Sequence, residues 1–226
     1  MKRTFFILIA GILLIGCNPT KRIAYNTNDL STSKTLIPKQ VDVRILEDVR
    51  ALNAENDILF TDKMQTKLNG KLSCINSEKG YKKDSVNSQV TQMIVKHFNQ
   101  LALFSRTTFN NLASDYYLSG KLSSFYGEQL FSSASMVGAQ FGLLGAIATS
   151  GIKTEGTIKI EIKNLKLFRK DSSLVKDLGD FSRVYEEKFP ADAYCWCIYD
   201  NINLKLKEFN SDLADKLLLE LSDVEF

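Results

Sequence analysis

The sequence predicts an α+β domain built on a single mixed or antiparallel sheet with two main helices packed on it. Three patterns predict this. Ile158, Ile160 and Ile162 alternate with Lys159, Glu161 and Lys163, the two-residue period of a strand with one buried face. Val86, Val90, Met93, Ile94, His97, Leu101 and Phe104 recur at three- and four-residue steps, one stripe of a helix. Ile198, Ile202, Leu206, Phe209, Leu213, Leu217 and Leu221 do the same near the C-terminus. The chain has 226 residues, which suits one domain with a leader and a tether.

The leader comes first. Lys2 and Arg3 precede an apolar run from Phe5 to Ile15, and Gly16 places a small residue before Cys17. Charged, then apolar, then small is the order of a secretory signal, here residues 1–16. Its apolar run falls short of the roughly 20 residues that a finished membrane span needs. Residues 17–38 are polar and poorly patterned, with Lys21, Arg22, Asn26, Asn28, Asp29 and Ser31 among them. They read as a flexible tether, whose average reach as a coil is roughly 25 Å. The folded domain is expected over residues 39–226.

Within it, Val41, Val43 and Ile45 alternate with Asp42 and Arg44, a half-buried strand ending near Glu47-Asp48-Val49-Arg50. Residues 51–80 carry Ile58-Leu59-Phe60, Leu68, Leu72 and Cys74, broken by Gly70 and Gly80, and read as short strands or a hairpin. Asp84 or Ser85 can cap the helix over 86–104. A short strand follows over 104–109. The stretch from Asp115 to Phe125 places Tyr116, Leu118, Gly120, Leu122 and Ser124 on one face and Tyr117, Ser119, Lys121, Ser123 and Phe125 on the other. Gly120 marks a bulge or a close backbone approach. The Thr157–Phe168 strand changes phase at Asn164, since Leu165 and Leu167 continue on the opposite parity, so a bulge is expected there. Lys170-Asp171-Ser172-Ser173 is a turn. Phe181 to Phe189 is a return strand stopping before Pro190. The C-terminal helix should lie on the same side of the sheet as the first.

One segment breaks the pattern. From Gln129 to Ile152 there is no charged side chain, and Ala134, Gly138 and Gly142 are spaced by four. Such spacing lets helices approach closely. The segment reads either as a loop packed on its own sheet or as a surface for a partner or the membrane interface. A full helical span is the third alternative, which Ser, Thr and Gln weaken. An uncovered apolar patch usually has a use. The candidate contact residues are Met136, Val137, Phe141, Leu143, Leu144 and Ile147. Charged residues in place of Phe141 and Leu144 should abolish complex formation and leave the fold intact.

The formal net charge is +3, but Lys2 and Arg3 leave with the signal, so the mature side chains sum to about +1. Nothing here calls for nucleic acid as a partner. Beyond Cys17, Cys74, Cys195 and Cys197 are an odd set. Cys74 can bridge to Cys195 or to Cys197, or all three can be buried thiols. A metal site is not expected: His97 is the single histidine, and Cys195-Trp196-Cys197 lacks zinc-ligand spacing. Phosphate-binding glycine loops, a paired-histidine zinc motif and a nucleophile elbow are all missing. A serine or cysteine triad would need His97, which sits at the edge of a helix stripe as a boundary residue. Glu186 and Glu187, as strand neighbours, point to opposite faces. No catalytic residue and no cofactor is assigned, and the chain is expected not to be an enzyme.

Leu14-Ile15-Gly16-Cys17 resembles the lipobox of bacterial lipoproteins. That resemblance implies cleavage between Gly16 and Cys17, diacylglycerol on the Cys17 thiol, and an acyl chain such as palmitate on the new amino terminus. Asn18, where enterobacterial inner-membrane lipoproteins carry aspartate, resembles the outer-membrane, periplasm-facing class. Val41-Asp42-Val43-Arg44-Ile45, then Asp115-Tyr116-Tyr117-Leu118-Ser119-Gly120-Lys121-Leu122 with Phe125, then the Ile158–Leu167 strand, resemble in order the auxiliary lipoproteins of ABC-type and lipid-transport complexes. There is a weaker resemblance to curli-type secretion lipoproteins, which form pores. The first implies a non-catalytic, lipid-anchored auxiliary or assembly component of a cell-envelope transport complex, partnered by its subunits or by itself. The second implies an oligomeric secretion pore. A pore would need barrel strands of about 9–11 alternating residues, and Val137 to Ala148 does not alternate cleanly. A structural lipoprotein without a transport role is the third reading.

Overall fold

The structure, a computed structural model, describes residues 21–30, 37–50, 65–68, 71–76, 81, 85–140, 151–192 and 195–224. The element order is β1 (Ile37–Val43), β2 (Glu47–Asp48), β3 (Gln65–Leu68), β4 (Lys71–Ile75), α1 (Val86–Gln100), β5 (Phe104–Phe109), β6 (Tyr116–Leu130), α2 (Ser133–Gln140), β7 (Lys153–Arg169), β8 (Leu174–Pro190) and α3 (Cys197–Leu221). All eight strands join one mixed sheet, so the α+β class holds.

The 15-residue β6 is the spine. One edge pairs antiparallel with β7 from Tyr116↔Arg169 to Gln129↔Gly156, and β7 pairs in turn with β8. The other edge is shared. It takes β1 in parallel at Val41↔Tyr116, β2 at Glu47↔Lys121, and antiparallel β4 at Cys74↔Gln129. Next to β1 runs β5, also parallel, and β3 completes a hairpin with β4. The parallel β1–β5 pair requires a crossover, and α1 lies in it.

Both long helices lie on one face of the sheet and share its core. Val90, Ile94 and Phe98 of α1 are buried with Ile198, Ile202, Leu206, Phe209, Leu213 and Leu217 of α3, against Ile158, Ile160, Ile162 and Leu167. Each such side chain contributes roughly 1.5–3 kcal/mol relative to exposure. The first helix stops at Gln100, not at 104. Ala102 has φ 51°, and Phe104 opens β5 while still packing edge-on against Phe98 with ring centroids 6.1 Å apart.

The bulge expected at Asn164 is present: its φ is 51°, and the β7–β8 register shifts between Ile162 and Leu165. A second bulge was not anticipated. The β6–β7 register also shifts between Leu122 and Ser124. That shift turns Phe125 into the core beside Leu118 and Leu122, where it is 3% exposed, although strict alternation puts it with Tyr117 on the opposite face. At Gly120 a Cβ would lie 3.0 Å from an Ile162 methyl, so the close approach read from the sequence is real. The return strand runs longer at both ends than expected, since β8 begins at Leu174 and includes Pro190.

Candidate functional site

Residues 21–30 fall inside the stretch expected to be a flexible tether, and the structure overturns that expectation for them. They form a strap laid between α1 and α3. Ile23 and Thr27 are buried, while Arg22, Ala24, Asn26 and Asn28 are exposed. Contacts on both α3 and α1 hold the strap. Lys21 pairs with Asp200 at 2.9 Å, Asn203 donates its amide to the Arg22 carbonyl at 2.9 Å, and Lys207 pairs with Asp29 at 2.6 Å. The Ile23 N–H donates to Gln89 Oε1 at 3.1 Å. That last bond explains why Gln89, a polar side chain of α1, is buried.

Under the strap lies the single imidazole of the chain. His97 is fully buried. Its Nδ1 is 3.0 Å from the Tyr25 hydroxyl and its Nε2 is 3.2 Å from Ser211 Oγ. Asn210 donates to the Tyr25 oxygen at 2.6 Å, and Ser211 donates to the Lys207 carbonyl at 3.2 Å. One assignment satisfies all of these: Tyr25 donates to Nδ1, and His97 carries its proton on Nε2 and donates to Ser211. Burial, then the nearby Lys207 ammonium, pushes the imidazole pKa down to about 4, with Asp29 opposing. His97 is therefore neutral at ordinary pH. It is an interior hinge between strap, α1 and α3, where the stripe pattern had put it at a boundary. Burial also pushes the Tyr25 phenol up.

At one pole of the molecule, the end of β6, the start of β7, the end of β8 and the start of α3 are tied together by Gln129. Its amide nitrogen donates to Thr154 Oγ1 at 2.9 Å and to the Phe189 and Pro190 carbonyls at 3.0 and 2.8 Å. Its oxygen accepts from Asn201 at 3.0 Å. Close packing here needs Gly156, where a Cβ would lie 2.7 Å from the Glu128 carbonyl oxygen. A disulfide joins Cys74 on β4 to Cys195, 121 residues apart, with Cα atoms separated by 5.5 Å. Asp192 accepts from the N–H groups of Trp196 and Cys197 at 3.0 and 2.7 Å, satisfying two donors at the start of α3. Burial, then the Asp192 charge, pushes the Cys197 thiol up to about 12, so this free cysteine is a poor nucleophile.

The uncharged segment leaves and returns at the same pole. Gln129 and Leu130 end β6, and Ser132 Oγ accepts from the Ser135 N–H at 3.1 Å to open α2. Val137 on α2 is 53% exposed. The Ala191 N–H donates to the Ile152 carbonyl at 2.9 Å, fixing the point of return. On the sheet face away from the helices, an open hollow of about 500 Å³ beside this pole is lined by Lys71, Glu128, Glu155, Thr157, Glu186 and Lys188. Its charges are mixed. Among the described residues no group of three His, Cys, Asp or Glu is placed to hold a metal ion.

No protein-family model and no curated protein matches the chain. Similar solved structures include protein XCC0632 of Xanthomonas campestris, a DUF330 protein. It is 14% identical, with a TM-score of 0.45 over 85% of this chain and 94% of that one. An uncharacterized protein follows at 11% identity and a TM-score of 0.43, over 82% and 97% of the two chains. A PelC variant dodecamer from Paraburkholderia phytofirmans is 6% identical, with a TM-score of 0.33 over 81% and 93%. At these scores the likeness is one of general outline and carries nothing about residues or partners.

Of the sequence-predicted site residues, Gly16 and Cys17 lie outside the described residues, as do Phe141, Leu143, Leu144 and Ile147. Met136 and Val137 fall on α2, and of these two Val137 is the side chain described. Cys74 and Cys195 meet, and Cys197 stays reduced. The strap residues were missed. Their signal was there: Ile23, Tyr25 and Thr27 keep a two-residue alternation that polar neighbours mask. No helix among the described residues is long and apolar enough to cross a membrane.

Proposed function

We propose that the chain is a lipid-anchored, non-catalytic lipoprotein of the outer membrane that faces the periplasm. In this reading it serves as an auxiliary or assembly component of a cell-envelope transport complex. The observation that carries it is the order Lys2-Arg3, apolar run, Leu14-Ile15-Gly16-Cys17, with a folded domain following within a few residues. The uncharged 129–152 segment supplies the contact surface. One feature agrees with a scaffold role: the free thiol of Cys197 is held in its unreactive form.

Gentle detergent extraction from the native membrane, crosslinking, sizing and mass spectrometry test this reading. Co-purification with transporter or lipid-carrier subunits is the expected result. A large ring of this chain alone would replace it with the secretion-pore reading, and a lone monomer would leave only a structural lipoprotein.

A further inference from the structure

The strap changes what the anchor can do. With a free tether of about 21 residues, an acylated Cys17 would leave the body free to tumble above the bilayer. With Lys21 clamped to Asp200 at 2.9 Å and Ile23 buried, only four backbone steps separate Cys17 from the folded body. Fully extended, four residues reach about 14 Å. Lipid chains must enter the bilayer from the Cys17 side, so the part of the body beside Lys21 is drawn against the headgroups.

That part is the pole already described, and the contacts connect it without a gap. Asp200 lies in the first turn of α3. Trp196 lies just before the helix, and Asn201, one residue on, is bonded to Gln129 at the end of β6. From there α2 departs, with its exposed Val137, as part of a segment without a charged side chain. Two features of independent origin therefore meet at one end of the molecule: the short link to Cys17 and the longest uncharged stretch of the mature chain. Uncharged, weakly apolar sequence with a neighbouring tryptophan suits the headgroup layer, where the indole has both a wet and an apolar side. The opposite end of β7 lies about 50 Å away at 3.3 Å per strand residue, at the charged Lys170-Asp171 turn.

We infer that the Trp196–Val137 pole lies against the phospholipid headgroups and that β6, β7 and α3 point away from the membrane toward the periplasm. This rests on the lipoprotein reading and deepens it, since it names the bilayer as the first thing the exposed face of α2 meets.

Trp196 is the single tryptophan of the chain and so reports its own depth. The full lipidated protein is reconstituted in vesicles of phosphatidylethanolamine and phosphatidylglycerol, doped with phosphatidylcholine carrying a nitroxide on its headgroup. Emission from Trp196 should fall about twofold relative to undoped vesicles, as expected of an indole at headgroup level. The comparison protein carries Leu174→Trp with Trp196→Phe, moving the reporter to the far, exposed end of β8, and should keep its emission. Should that variant fail to fold, Leu219→Trp with Trp196→Phe, at the exposed far end of α3, replaces it. Unquenched Trp196 in protein whose mass confirms lipidation would overturn the inference alone. Equal quenching of both reporters would also overturn it, in favour of a body lying flat. Absence of lipid on Cys17 in native membranes would remove the lipoprotein reading and this inference together.

Discussion

Stability should fall as pH drops through a range where, in most proteins, several histidines compete to explain it. Here one histidine does. Folded, His97 is held neutral with its pKa pushed down to about 4 by burial and by Lys207. Unfolded, it titrates near 6.5. Between those values the unfolded chain binds a proton that the folded one refuses, so stability is whole above pH 6.5 and is lost as pH falls. Linkage at 1.36 kcal/mol per pH unit gives a loss of about 2 kcal/mol between pH 7.5 and pH 5. The groups facing the ring do not titrate across that window. Lys207 holds the Asp29 carboxyl below its ordinary range, and burial raises the Tyr25 phenol. Urea titrations at a series of pH values read the loss, and proton NMR of the lone imidazole reads its pKa directly. The His97→Gln protein should lack the slope. A wild-type curve parallel to that variant's, or an imidazole titrating near 6.5 in the folded protein, would refute the reasoning.

Other perturbations test other parts of the architecture. Replacing Cys74 and Cys195 together by serine releases a 121-residue loop; chain entropy puts the loss at roughly 3 to 5 kcal/mol, read as a lower denaturation midpoint that reductant no longer shifts. Gly156→Ala forces a methyl to within 2.7 Å of the Glu128 carbonyl and 3.0 Å of the Phe189 ring. It should destabilise by about 1–3 kcal/mol, and an unchanged melting curve would contradict the close β6–β7 approach. Tyr25→Phe removes the hydroxyl that meets His97 Nδ1 and accepts from the Asn210 amide beneath the strap, and should cost about 1–3 kcal/mol. It should also speed hydrogen exchange at Ile23. Val137→Glu, at an exposed position, should stay within about 0.5 kcal/mol of wild type while weakening association with membranes or partners in flotation and crosslinking assays.

Much of the fold was legible because it follows from periodicity. The α3 stripe from Ile198 to Leu221 packs as its spacing requires, and Asn164 announced its bulge by a change of parity. The end of α1 was overrun because Phe104 belongs both to the helical stripe and to the next strand, and only the left-handed Ala102 separates them. Phe125 was placed on the wrong face because the bulge near Ser123 has no glycine or asparagine to mark it. The strap was read as tether because its fixed groups include a lysine and a tyrosine. Their partners Asp200, Asn210 and His97 are 72 to 185 residues away in sequence, and nothing local encodes such pairings. The cysteine pairing was open for the same reason. Conversely, the proposed processing signal from Leu14 to Cys17 is a purely local sequence pattern and lies outside the described residues.

The intact mass of the mature chain purified from its native membrane tests the central claim most directly. The account predicts a chain beginning at Cys17, 210 residues long, heavier than its sequence by a diacylglycerol and an amide-linked acyl chain, with the Cys17→Ser protein losing that added mass. A chain starting at Met1, or an unmodified Cys17, would contradict the account.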